Sequence, residues 1–232
     1  MKRDELDVVI LGEDLLNEGL VKGTVGTIVM VFDTPTLGYL VEFCDEAGRT
    51  IAMPALLPAQ LKSYFTPCIL KTLLVDNNYP VANPVASDVM ADLMHKAAPV
   101  EWDTHRRRVY GNIQRLMINR RDYSDMFKIM DGFEYNGLTL YSMVQAGNSK
   151  PVWSNIYLRN IETRVNEIYL DPNLIDKVLV GEDDMSVFAY SFTNDCFEIC
   201  DKASTNYIIE SHSNFSELLS ALIDKVTVHH HT

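Results

Sequence analysis

Between Arg120 and Tyr141 the sequence reads Arg-Arg-Asp-Tyr-Ser-Asp-Met-Phe-Lys-Ile-Met-Asp-Gly-Phe-Glu-Tyr-Asn-Gly-Leu-Thr-Leu-Tyr, and few folds accommodate that order. Tyr123, Phe127 and Met130 recur at i, i+4 and i+7, the spacing of one buried helical stripe, which Ile129 widens. Gly132 ends the helix. Phe133, Tyr135 and Leu138 to Tyr141 then carry the aromatic and β-branched content of strands, and Asn136-Gly137 between apolar residues predicts a tight hairpin turn. A helix therefore lays its apolar stripe on the start of an antiparallel sheet.

The chain beyond this stretch repeats the strand signal. Gln145 to Pro151 reads as a polar loop, Val152 to Leu158 as mixed apolar chain, and Asn160 to Asn166 as a helix or turn. Glu167 to Leu170 and Val178 to Val180 read as strands, with the acidic loop Glu182-Asp183-Asp184 after the second. Phe188, Tyr190 and Phe192 alternate onto one face, Thr193-Asn194-Asp195 turns the chain, Phe197 and Ile199 alternate in the returning strand, and Tyr207 to Ile209 adds another. Ser213 or Asn214 caps a closing helix with Phe215, Leu218, Leu219, Leu222, Ile223 and Val226 on its apolar side. Upstream, Glu101 to Thr104 starts a helix that places Val109, Ile113, Leu116 and Met117 on one face. Helices around an antiparallel sheet make an α+β domain over residues 101–228.

The motif Asp-Gly-Phe-x-Tyr-Asn-Gly-Leu-x-Leu-Tyr-Ser behind a helix bearing Asp122, Tyr123 and Phe127 resembles the SUKH superfamily, in particular its YrhA-like branch. The strand, acidic loop, strand order at Val178 to Phe192 resembles the same branch. The resemblance spans about Trp102 to Val226 and implies a central antiparallel sheet flanked by helices. It further implies an immunity protein that binds and neutralises a cognate secreted toxin domain, a nuclease by preference, in competition between bacteria. A non-enzymatic housekeeping scaffold or chaperone-like module is the alternative that the same family implies. No catalytic residue comes with it.

Ahead of that domain, residues 1–65 alternate short strands with glycine bends. Asp7 to Leu11, the Glu13 to Phe32 stretch, and Gly38 to Cys44 returning through Asp45 to Arg49 as Thr50 to Met53 predict a small all-β, partly closed barrel. Pro54 to Leu61 is expected as one helical turn closing it. This segment resembles a small bacterial domain family without an established function. Gly19, Gly23 and Gly26 do not have P-loop spacing and lack a following Gly-Lys-Ser/Thr, so no phosphate cradle is predicted. Residues 66–100 are punctured by Pro67, Pro80, Pro84 and Pro99 and read as a connector. Within it, Ile69 to Val75 is expected as a short apolar strand or crossing segment, and Val89 to Ala97 as a helix capped by Ser87-Asp88.

Charge narrows the partners. The 32 acidic residues against 20 basic ones give a net charge of −12, which disfavours nucleic acid and anionic lipid as ligands and suits a basic protein partner. Arg106-Arg107-Arg108 does not reverse this, because consecutive helical residues point about 100° apart and form no single patch. The N-terminus lacks the apolar core of a signal peptide and no run approaches the roughly 18 apolar residues of a membrane span, so a cytoplasmic protein is expected. Cys44, Cys68, Cys196 and Cys200 are expected as reduced thiols.

No residue pattern points to a cofactor, a metal or a catalytic centre. Cys196 and Cys200 flank Glu198 on one face of a strand, but four residues of extended chain separate their sulfurs by about 13 Å, too far to share an ion. His212 is read as a loop histidine, and His229 to His231 as a tail without weight in the fold. The residues expected to contact a partner are Asp131, Glu134 and Tyr135 around the hairpin and Glu182, Asp183 and Asp184 in the acidic loop. Tyr141 and Trp153 are further candidates for aromatic anchors, each with core packing as the plainer role.

Overall fold

The computed structural model describes residues 3–144, 154–165 and 171–228, the side chains of 163–165 and 225–228 excepted. They form helices and two antiparallel sheets, an α+β arrangement, in two compact units: residues 1–66 with 219–232, and residues 67–218. Among the described residues no helix is long and apolar enough to cross a membrane.

In the first unit, Val8–Leu11 (β1), Val25–Phe32 (β2), Gly38–Cys44 (β3), Thr50–Ala52 (β4), Ala55–Leu56 (β5) and Leu61–Ser63 (β6) make one sheet. Its order is β4-β3-β2-β1-β6, with β5 also on β3. Alternation sends Val9, Leu11, Ile28, Tyr39, Val41 and Phe43 inward, where they form the core with Leu20, Leu56 and Leu61. Gly26 lies against this core so closely that a Cβ would stand 2.7 Å from Val41 and 2.8 Å from Phe43. The segment expected as one helical turn divides instead into β5, a 3-10 turn at Pro58–Gln60, and β6. That division bends the sheet. Four strand spacings from β5 to β6 would span about 19 Å if flat, whereas three residues of 3-10 turn and two joints reach about 13 Å. The sheet must curve to accommodate so short a link, and Gly12 N–H extends the β1–β6 pairing by donating to Gln60 O at 2.7 Å.

The second unit starts with Pro67–Asp76 (α1), which corrects the expected strand at Ile69 to Val75. Pro67 begins the helix, where a missing N–H costs nothing, and Leu70 and Leu74 are buried at helical spacing. A short apolar run alone does not separate the two conformations. Ser87–His95 (α2) and Thr104–Asn119 (α3) follow, the latter capped by Asp103 accepting from Arg106 N–H at 2.8 Å and burying Val109, Ile113, Leu116 and Met117 as expected. The segment 66–100, read as a connector, thus carries two helices, which lie in the second unit.

The predicted stripe helix is present but broken into Arg121–Ser124 (α4) and a 3-10 turn at Asp125–Lys128. Tyr123, Phe127 and Met130 are fully buried, whereas Ile129 is half-buried and Met126 takes the place expected for it. The 3-10 winding explains the exchange, because three residues per turn rotates position 126 under the stripe. Phe133–Tyr135 (β7) and Leu138–Leu140 (β8) form the predicted hairpin, with positive φ at Asn136 (47°) and Gly137 (81°). After Ile156–Val165 (α5) come Lys177–Glu182 (β9), Ser186–Ser191 (β10), Cys196–Asp201 (β11) and Ile208–His212 (β12). The sheet order is β12-β11-β10-β9-β8-β7, a meander. His212 therefore ends a strand and is not in a loop.

On one side of this sheet Tyr123 packs on Phe127 (5.3 Å between centroids), Phe197 (6.0 Å) and Phe215 (5.0 Å). Phe215–Val228 (α6) opens with the predicted cap, Asn214 Oδ1 accepting from Glu217 N–H at 2.9 Å, and Phe215, Leu218, Leu219, Leu222 and Ile223 are all buried. Arg120 ties the helix ends together. It meets Asp122 at 2.9 Å, donates to Ser213 O at 2.8 Å, and lies 4.8 Å from the Phe197 ring centroid. The expected loop at Gln145 to Pro151, the anchor Trp153, the strand at Glu167 to Leu170, the Val226 side chain and His229 to His231 lie outside the described residues.

Candidate functional site

Pro80 and Pro84 hold residues 80–86, between α1 and α2, as chain without helix or strand. One end of this segment is fixed on the hairpin and the other on the chain leading into it. At one end the Tyr79 ring packs edge-on against Tyr135, 4.7 Å between centroids, and its hydroxyl bonds Asn136. At the other, Asp131 N–H donates to Asn83 O at 3.2 Å and Val85 N–H to Phe127 O at 2.8 Å. Between these anchors the segment stands off from β7, leaving a cleft of about 560 Å³. Val81, Ala82, Val85, Phe133, Leu140 and Val144 give it apolar walls, and Asp131 and Glu134 are its carboxylates.

The two carboxylates differ. Asp131, expected as a surface contact, is 5% exposed, and its oxygens accept from Met143 N–H at 2.6 Å and Val144 N–H at 3.2 Å. It serves the fold, because a buried carboxylate is tolerated only where donors replace water. Glu134 is exposed at the cleft edge, as expected. Tyr135 is 6% exposed and Tyr141 fully buried, so both are core residues. Gly132 permits the tight path between Asp131 and β7: its φ is 70°, and a Cβ there would stand 2.6 Å from Leu140 O.

The acidic loop does not line the cleft, but the sheet places it on a shared row. Glu134 pairs with Thr139 across β7 and β8, and Thr139 with Glu182 across β8 and β9. Directly paired residues face the same side, so Glu134 and Glu182 share a face two strands apart. Glu182 is already engaged by Lys202 at 2.8 Å and Arg159 at 2.9 Å. Asp183 turns the chain by accepting from Met185 N–H at 2.8 Å and Ser186 N–H. Asp184 and Met185 are exposed at the tip. Arg106 and Arg108, from the arginine run, meet Asp103 and Asp176, both at 3.4 Å.

Burial by itself would raise the Glu182 carboxyl, but its hydrogen bonds and charges from Lys202 and Arg159 outweigh that and hold it below the usual carboxylate range. A group lowered in the folded state contributes stability that is complete above its unfolded value and lost as pH falls through the folded one. Glu182→Gln is expected to cost about 1 kcal/mol at pH 7. Urea unfolding at pH 7 and again near pH 3 checks this: the gap between wild type and variant closes in acid, and an unchanged gap would rule the linkage out.

Comparison with known proteins gives three findings. Residues 5–63 match the model of a family described as a domain of unknown function (DUF4926). Over 127 residues, 53% of this chain and 87% of the relative, the chain is 24% identical to an uncharacterised protein, YrhA, of Escherichia coli strain K12. No solved structure gives a significant match.

Proposed function

We propose that this chain is a cytoplasmic immunity protein that binds and neutralises a cognate secreted toxin domain, a nuclease by preference, without chemistry of its own. In this reading residues 101–228 are a SUKH-like α+β domain, and residues 1–65 are a small barrel-like module ahead of it in the chain. The observation that carries the reading is the apolar cleft beside the hairpin, whose edge bears the exposed Glu134 in a chain of net charge −12. Apolar walls supply contact energy and an acidic surround speeds encounter with a basic partner. The resemblance of the hairpin motif to the SUKH superfamily supports the same reading.

Co-expression with the toxin domain encoded beside the gene tests it. Cells are expected to survive, and the two proteins to co-purify in fixed stoichiometry with an association that weakens as salt rises. Cell death without a complex would overturn the proposal in favour of a scaffold role.

A further inference from the structure

We infer that the outer edge of β7 accepts an extended, basic segment of the partner, which adds a strand at Glu134 and seats apolar side chains in the cleft. This rests on the partner-binding reading above and specifies its mode.

The hairpin register fixes which backbone groups are offered. A two-residue turn at Asn136-Gly137 closes on the hydrogen-bonded pair Tyr135 and Leu138, and such pairs alternate, so Glu134 and Thr139 form a pair that exchanges no backbone bonds. The N–H and C=O of Glu134 therefore point away from β8. The next ladder agrees: Thr139 faces Glu182 and Tyr141 N–H donates to Val180 O at 2.9 Å, which sends the odd positions of that strand toward β9 and the even ones toward β7. β7 ends the strand order, and among the described residues no strand pairs with its outer side. Natural sheets cover such edges or use them.

Strand alternation also specifies the occupant. A residue paired with Glu134 shares its face, where a lysine or arginine meets the carboxylate. Its two neighbours point to the opposite face, toward Phe133, Leu140 and the cleft walls, and there small apolar side chains fit. The predicted segment is apolar, basic, apolar. Residues 80–82 line the wall of the cleft opposite Phe133 and Glu134, and Tyr79 and Asn83 fix that wall at its two ends.

The test uses the full chain and the toxin domain encoded beside it. Amide hydrogen exchange is expected to slow at Glu134 in the complex. Glu134→Pro removes the outward N–H while leaving the β7–β8 ladder intact, and is expected to weaken binding by about tenfold or more. Ala82→Trp, which fills the cleft without touching the ladder, is expected to do the same, so the test survives if the proline variant fails to fold by circular dichroism. A stable complex in which the Glu134 amide exchanges as in the free chain, or folded variants that bind unchanged, would overturn the inference and leave the immunity reading standing. No complex at all would overturn the immunity reading, and the inference with it.

Discussion

Lys177→Met is expected to destabilise the second unit by about 3 to 5 kcal/mol, because it strands a carboxylate inside the sheet. Glu198, on β11, is fully buried, and Lys177 Nζ, two strands away on β9, lies 2.7 Å from its Oε2. Asn194 donates to its other oxygen at 2.8 Å, and Cys200 and Cys196 place sulfurs at 4.0 and 3.9 Å. Losing the ammonium leaves one amide and two weak thiol donors to replace water around a full charge. The double change Lys177→Met with Glu198→Leu is expected to recover most of the loss, since an apolar pair of similar volume needs no solvation. Urea denaturation of the wild type, both single variants and the double variant measures the coupling directly. A single-variant cost below about 1 kcal/mol would mean that water reaches the carboxylate. Burial disfavours the Lys177 ammonium, but the hydrogen bond and charge of Glu198 outweigh it and raise its pKa. For a cation raised by folding, the contribution is complete below the ordinary lysine range and lost only above it. The pair should therefore hold through neutral and moderately alkaline solution.

Asn160→Leu is expected to cost about 3 kcal/mol, the penalty for leaving backbone groups unsatisfied in the interior. β8 ends at Leu140, so β9 loses its partner on that side just where Leu179 still needs one. Asn160, fully buried on α5, supplies both halves of the missing ladder: its Oδ1 accepts from Leu179 N–H at 2.9 Å and its Nδ2 donates to Leu179 O at 2.8 Å. Leucine has the same branching and offers neither atom. Thermal unfolding of the variant measures the cost, and hydrogen exchange at the Leu179 amide reports the local opening. A melting temperature within error of wild type would show that the strand end finds other partners.

Both predictions concern polar residues whose partners the chain order hides. The alternation around Cys196, Glu198 and Cys200 placed those three side chains on one strand face, but nothing in the pattern points to Lys177, which comes from the other side of β10. Asn160 looks like an ordinary helix or turn residue until β8 stops short beside it. Asp131 shows the opposite difficulty. A carboxylate before a glycine and a strand reads as a solvated turn residue, and only the return of the chain at Met143 and Val144 buries it. For the cleft, the sequence supplied the Glu134 edge and the Asn136-Gly137 turn. The wall from Pro80 to Val85 could be read only as extended chain, since its anchors are Tyr135 and Asn136 at one end and Phe127 and Asp131 at the other.

Local physics determined the rest. The hairpin followed from two residues that tolerate positive φ, the α3 face and the α6 stripe from 3.6-residue periodicity, and the α6 cap from Asn214 and Glu217 three apart. Each of these interactions spans a few residues and is encoded where it acts. Tertiary structure alone decided that Ile69 to Val75 is helical, that the Tyr123 helix tightens into a 3-10 turn, and which carboxylates are buried. Those outcomes depend on what packs against each segment from tens of residues away, where a periodic pattern carries no information about the partner.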